Sequence, residues 1–199
     1  MPRPLRIHLP DLIYHVLNRG NNRQVIFAEE KDYTHYLEIL RKYKLKFNFK
    51  IFAYCLMTNH IHLLIKTSAA GTISDIMKAI TIAHTRYYHH KYRASGHIWQ
   101  GRFKSPIASD DEHLLTLMRY IEQNPLRAGM VEQSDQYLFS SCKTNTKIEK
   151  DGLVDKEDNP ATGDDWHYER FQGDTVRGIW QDGKFQVYER EPVLPRTFL

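Results

Sequence analysis

Two β-rich runs, Phe47–Leu56 and His60–Thr67, are separated only by Met57-Thr58-Asn59. Parallel strands need a crossover of about a dozen residues, so a tight antiparallel hairpin is the economical connection here. The rest of the chain is read around that hairpin. Upstream, Leu12–Asn18 reads as a strand closed by the turn-forming Arg19-Gly20-Asn21-Asn22. A helix is expected from about Ala28 to Tyr43, with Tyr33, Tyr36, Leu37, Leu40 and Tyr43 at three- and four-residue steps. Downstream, Ile73–Tyr92 reads as a long helix with Ile73, Ile76, Met77, Ile80 and Ala83 as its apolar face, and Trp99–Ile107 suits a fourth strand. Ser109-Asp110-Asp111-Glu112 has the form of a capping box, opening a helix that must stop near Asn124 because Pro125 restricts the residue before it. The order β-α-β-β-α-β-α predicts an α+β fold, a ferredoxin-like antiparallel sheet with packed helices, followed by a small C-terminal annex.

Charge divides the chain in a similar place. Residues 1–150 hold 22 basic and 13 acidic side chains, net +9, and residues 151–199 hold 6 and 11, net −5. A basic, aromatic-rich body is a candidate for meeting a polyanion, although a solvated basic surface has the same composition. The predicted organisation is a body over residues 1–143, a Lys-, Asp-, Glu- and Gly-rich linker or mobile loop over 144–165, and an acidic annex over 166–199. In that annex Asp182-Gly183, between Ile179-Trp180 and Phe185-Gln186-Val187, signals a hairpin. Two cysteines, Cys55 and Cys142, exclude a disulfide scaffold and a Cys-rich zinc module. The longest uncharged run, Ile51–Ile65, is too short to span a bilayer, and Met1–Arg6 has no apolar signal core. A cytoplasmic protein without a membrane partner is expected.

His60-Ile61-His62 carries the strongest chemical signal. Alternate residues of a strand face the same way, so two imidazoles two apart can offer two positions to a metal ion. The same pair also suits one hydrogen-bonded core histidine with an incidental neighbour. Ile61, Leu63 and Ile65 would fill the opposite face, and Leu64 follows the histidines, which suits a central strand covered on both sides. On the helix after Ser109, Tyr120 lies roughly 130° from the centre of the stripe formed by Leu114, Leu115, Leu117, Met118 and Ile121. Asn124, four residues on, shares its flank, and Glu122 points elsewhere. Should His60 and His62 hold a metal, Asn124 is the helix residue placed to add an oxygen ligand beside the tyrosine hydroxyl. A tyrosine beside a metal and a basic surface points to attack on a phosphodiester; an exposed tyrosine on a helix flank is the plain alternative.

Asn59-His60-Ile61-His62-Leu63-Leu64 resembles the His-hydrophobic-His (HUH) motif. The segment Tyr120-Ile121-Glu122-Gln123-Asn124-Pro125-Leu126-Arg127-Ala128-Gly129-Met130-Val131 resembles the tyrosine segment of the REP-associated tyrosine transposases, relatives of the transposases of the smallest bacterial insertion sequences. Tyr14-His15-Val16 with Asn18-Arg19-Gly20-Asn21-Asn22-Arg23-Gln24-Val25-Ile26-Phe27 resembles the opening pattern of that family, and His97-Ile98-Trp99-Gln100-Gly101-Arg102-Phe103-Lys104-Ser105 its Trp-Gln-x-Arg-Phe segment. The likeness runs over roughly residues 10–141 in four ordered motifs. It implies an HUH nuclease that cuts single-stranded DNA at hairpins of repetitive extragenic palindromes, leaves a 5′-phosphotyrosine and a free 3′-hydroxyl, and can rejoin ends. By motif position it implies Tyr120 as nucleophile, His60 and His62 as catalytic metal ligands, Asn124 as third ligand, and Mg²⁺ or Mn²⁺ as the ion. Arg19, Asn21, Asn22, Arg23 and Gln24 fall in the region that guides a flanking tetranucleotide, and forks and amides of this kind can read the base edges of an unpaired strand. Trp99, Arg102, Phe103 and Lys104 mix rings with charge as single-strand binders do, while Trp99 and Phe103 suit a core equally.

The expected partners are single-stranded DNA and DNA hairpins, with no small-molecule cofactor and the protein a monomer or homodimer. Two other readings share the motifs: a non-catalytic, structure-specific DNA-binding or regulatory protein of the same fold, and an HUH replication initiator or relaxase.

Overall fold

The computed structural model describes residues 9–146, 152–155 and 159, and the backbone of 166–171, 174–181 and 184–190. Strand β1 (Ile13–Arg19) is followed by helix α1 (Glu30–Phe47), strands β2 (Lys50–Met57) and β3 (His60–Lys66), helix α2 (Ile73–Tyr92) and helix α3 (Asp111–Glu122). Two short turns of helix, α4 (Asn124–Arg127) and α5 (Cys142–Asn145), close the body. The sheet is antiparallel with order β1-β3-β2, so the histidine strand is central, and β2 and β3 form the expected hairpin with Met57 opposite His60.

Pairing register decides which side chains share a face. Leu17 and Cys55 stand opposite His62, Arg19 and Met57 opposite His60, and His15 and Ala53 opposite Leu64. These residues therefore line one face of the sheet. On it pack Leu114, Leu115, Met118 and Ile121 of α3, sealing a core with Ala53, Cys55 and Leu64. Tyr14, Val16, Ile61, Leu63 and Ile65 occupy the other face, under Tyr36 and Leu40 of α1 and Ile76, Met77 and Ile80 of α2. Burying β3 on both sides explains its run of apolar residues around the histidines.

The helix ends follow their side chains. Ahead of α1, the carboxylate of Asp32 accepts from the backbone N–H of Ala28 (2.7 Å) and of Glu29 (3.1 Å). Thr72 and Asp75 cap α2 reciprocally: the Thr72 hydroxyl accepts from the Asp75 N–H at 3.1 Å and the Asp75 carboxylate from the Thr72 N–H at 3.2 Å. For α3 the cap is Asp110, which accepts from the N–H of His113 at 2.8 Å, while Ser109 donates its hydroxyl to Asp110. The expected helix is therefore capped one residue later than its Ser-Asp-Asp-Glu pattern predicts, because the carboxylate is the stronger acceptor.

The fourth strand over Trp99–Ile107 is not continuous. It meets β1 in two isolated bridges, Leu17 with Lys104 and Tyr14 with Ile107, and the residue just after β1 in a third, Gly20 with Trp99. Gly101 at φ 110° turns the backbone out of the pleat, and Pro106 has no N–H to give, though its carbonyl accepts from His15 N–H at 2.9 Å. The segment still satisfies the β1 edge, in the place where a ferredoxin-like sheet carries its fourth strand. At the other edge, Leu56 donates to Phe139 O and Ser141 to Tyr54 O, both at 2.9 Å, and Asp155 donates its N–H to Ile51 O at 2.8 Å.

The described part of 144–165, a stretch whose composition predicts a linker or mobile loop, is tied to the body. Leu153 is fully buried in the main core, and the Asp155 carboxylate accepts from Ile51 N–H and pairs with Lys44, both at 2.8 Å. Farther on, β4 (Trp166–Phe171), β5 (Asp174–Gln181) and β6 (Lys184–Arg190) form a second antiparallel sheet, with Gln181 opposite Lys184. Asp182 and Gly183, the predicted hairpin turn, lie outside the described residues, as do residues 1–8 and 191–199. Among the described residues no helix is long and apolar enough to cross a membrane.

Candidate catalytic site

Three histidines and a tyrosine meet where α3 crosses the sheet. Two of the histidines, His60 and His62, come from β3, with ring centroids 5.1 Å apart. His15 of β1 stands diagonal to His62 and stacks on it at 5.2 Å, its Nε2 sharing a 2.9 Å hydrogen bond with His62 Nδ1. Tyr120, on the flank of α3, presents its ring edge-on 5.6 Å from His62 and 5.9 Å from His15. The residue is 38% exposed, so it borders the histidines while remaining partly open to solvent. Arg127, carried round by α4, holds its guanidinium 5.2 Å from the Tyr120 ring centroid.

Burial sets the protonation of this group. It pushes His60 down to about 4, with the Arg19 charge adding to the effect, and His15 to about 4 with His113 adding. His62 is driven well below the ordinary range by burial, then by His15, His60 and Arg19. All three rings are therefore neutral at pH 7, the form that offers a lone pair. The amide oxygen of Asn59, which can only accept, meets His60 Nδ1 at 2.7 Å and leaves Nε2 free. With His62 Nδ1 occupied by His15, the free nitrogen of His62 is also Nε2. Imidazoles held through one nitrogen with the other open are the arrangement that metal ligation uses, so the residues fit a divalent cation.

Among the described residues no three of His, Cys, Asp and Glu group into a metal site. Asn124, half-buried one turn after Tyr120, donates its amide nitrogen to Tyr120 O (2.7 Å) and Ile121 O (3.3 Å). Its oxygen takes no part in those bonds. Glu122 points to the opposite side, accepting from Ser141 (2.7 Å) and Asn145 (2.6 Å) in a buried network.

The residues singled out for DNA contact separate into two groups. Arg19 lies beside the histidine pair, and Lys104, opposite Leu17, shares that face. Asn22, Arg23, Arg102 and Lys104 are exposed, and Asn22 and Arg23 both adopt the left-handed region at φ 50° and 59°. Asn21 and Gln24 are half-buried; the Asn21 backbone N–H and the Gln24 side-chain amide donate to Ile98 O at 2.8 and 3.0 Å. Trp99 is half-buried, packs against the main core and donates its indole N–H to Thr85 at 3.2 Å; Phe103 packs against the same core. Gly20 is required by close packing, since a Cβ there would stand 2.4 Å from Gln24 O.

His15 and Asn59 are the residues for which sequence reasoning names no role. Both lie inside quoted motifs, but their contacts follow only once β1 is registered against β3 and the Gly20–Gln24 loop is folded onto the β2–β3 turn.

Comparison with known proteins follows the same elements. The family model described as "Transposase IS200 like" matches residues 8–124. A REP-associated tyrosine transposase of Haemophilus influenzae is 32% identical over 116 residues, which cover 51% of this chain and 63% of that protein, so the match spans less than two thirds of the relative's length. Among solved structures, a REP-associated tyrosine transposase bound to a REP hairpin superposes with a TM-score of 0.64 at 20% identity, over 78% of this chain and 89% of that one. That similarity establishes a shared fold.

Proposed function

The chain belongs to the IS200-like transposase family, and from that membership we propose that it cuts and rejoins single-stranded DNA at REP-type hairpins with Tyr120 as the nucleophile. The observation that carries the reading is the Tyr120 ring, 5.6 Å from His62 and partly open to solvent.

In the cutting step the Tyr120 oxygen attacks a backbone phosphorus and the bond from phosphorus to the 3′ oxygen breaks. The phenol gives up one proton and the departing 3′ oxygen takes one, leaving a 5′-phosphotyrosine and a 3′-hydroxyl. Attack by a 3′-hydroxyl on that phosphotyrosine reverses the bonds and frees Tyr120. His60 and His62 would hold Mg²⁺ or Mn²⁺ through Nε2 with the Asn124 amide oxygen beside them, a donor set that suits Mn²⁺ at least as well as Mg²⁺. Such an ion polarises the phosphate and offsets the charge that develops on it. Arg19 and Lys104 add fixed positive charge on the same face, where a phosphodiester backbone would run. Exposed Asn22, Arg23 and Arg102 are available to an unpaired strand or a hairpin stem.

The test is a labelled REP-type hairpin oligonucleotide incubated with Mn²⁺ and run on a denaturing gel. A covalent protein–DNA band is expected from the native protein and none from Tyr120→Phe. Tight binding with no cleavage under either Mn²⁺ or Mg²⁺ would favour a structure-specific DNA-binding protein of the same fold.

A further inference from the structure

Asn59 sits in the two-residue turn between β2 and β3, and three of its polar groups are committed. Its side-chain oxygen accepts from His60 Nδ1 at 2.7 Å, its side-chain nitrogen donates to Arg23 O at 3.1 Å, and its backbone oxygen accepts from Gly20 N–H at 2.8 Å. The amide orientation is chemically fixed, because the Arg23 carbonyl can only accept and so requires the NH₂ end. It follows that His60 Nδ1 must carry the proton. The next residue back ties the same loop again, Thr58 O accepting from Ile26 N–H at 2.9 Å and from Phe27 N–H at 3.1 Å.

We propose that Asn59 is a positioning residue that holds the His60 ring with Nε2 open and fastens that ring to the Gly20–Gln24 loop, so that the histidine pair and the exposed Asn22-Arg23 tip move as one unit. The role of the open Nε2 rests on the metal reading given above; the bonding of the ring does not. Free neutral histidine in water favours the proton on Nε2, so a ring locked with the proton on Nδ1 is a signature of this contact. Its consequence is reciprocal coupling. A cation on His60 and a nucleic acid on the loop each hold Asn59 in place, and each should tighten the other.

The experiment compares the native protein with Asn59→Ala and Asn59→Asp. Ring ¹⁵N spectra of metal-free, DNA-free protein read the His60 tautomer directly. The proton is expected on Nδ1 in the native protein and in Asn59→Asp, which keeps the acceptor, and on Nε2 in Asn59→Ala. Mn²⁺ titration followed by electron paramagnetic resonance should show affinity falling about 10–100-fold in Asn59→Ala and staying within about threefold in Asn59→Asp. Hydrogen exchange over residues 20–24 should speed up in both variants, since neither can donate to Arg23 O. An unchanged His60 tautomer in a folded Asn59→Ala protein overturns the proposal, as does a loop whose exchange does not respond to either variant. His60→Ala separates the two readings: if it binds Mn²⁺ like the native protein, the metal role of His60 fails, and the tautomer measurement still decides the role of Asn59.

Discussion

His84 gives a prediction whose size can be worked from its surroundings. It lies on α2, fully buried among Phe27, Tyr36 and Trp99, with its Nε2 3.2 Å from Ile26 O. Burial pushes it down to about 4, against an opposing pull from the Ile26 carbonyl and Asp32. A pKa lowered by folding means that the unfolded chain takes up the proton first. The stability concerned is therefore complete above about pH 6.5 and drains as the pH falls toward 4. At pH 5 the unfolded ring is nearly all charged and the native ring nearly all neutral, a difference of about 2 kcal/mol. In His84→Gln the side chain stays neutral throughout and can still donate toward Ile26 O. Urea unfolding of both proteins at pH 7.5 and 5, with metal chelated, should show the native protein losing about 2 kcal/mol more than the variant. With a urea slope near 2 kcal/mol per molar, that is about 1 M in midpoint. Contributions from other titrating groups cancel between the two proteins. Equal pH dependence in both would refute the argument that burial keeps this ring uncharged, and with it the same argument for His15 and His60.

Leu153→Ala should cost about 2–5 kcal/mol in urea unfolding, the range for a fully buried leucine, and a change near zero would mean that the 152–155 segment does not dock. Gly20→Ala forces a Cβ to within 2.4 Å of Gln24 O, so the loop must open; weaker hairpin binding, read by fluorescence anisotropy, is the expected outcome, with Mn²⁺ affinity falling alongside it because the loop is fastened to His60 through Asn59. Affinity for single-stranded DNA should fall about 0.7 log units per log of salt for each phosphate contacted, and Lys104→Gln should reduce that slope by up to one contact; an unchanged slope removes Lys104 from the backbone path.

Much of this architecture was legible because short connections and strand alternation leave few choices. The three residues between Leu56 and His60 bring β2 and β3 together, and the alternation of His60, Ile61 and His62 separates a histidine face from an apolar face. Glu122 could be set aside from Asn124 by helical angle alone, and it is indeed turned into a buried network with Ser141 and Asn145. What stayed hidden depended on tertiary register. His15 reaches His62 only diagonally, through a pairing between residues 47 apart. The broken strand at Trp99–Ile107 reflects Gly101 and Pro106, whose backbone preferences override an apolar pattern. Leu153, with Val154 beside it, is a short apolar anchor in a charged stretch, and composition averages such a pair away. Trp99 is ambiguous in sequence because an indole suits a core and a base stack equally; the structure packs the half-buried ring on the core and ties its N–H to Thr85.

The central claim is that Tyr120 is the residue that becomes joined to DNA, and peptide mapping of the adduct tests it most directly. After incubation with a hairpin oligonucleotide and Mn²⁺, nuclease trimming and trypsin digestion, the nucleotide mass should sit on the peptide from Tyr120 to Arg127. Tyr120 is the only tyrosine between Ser105 and Arg127, so the assignment holds even if cleavage after Arg119 is blocked. A nucleotide found on any other tyrosine, or an adduct that persists in Tyr120→Phe, would contradict the account.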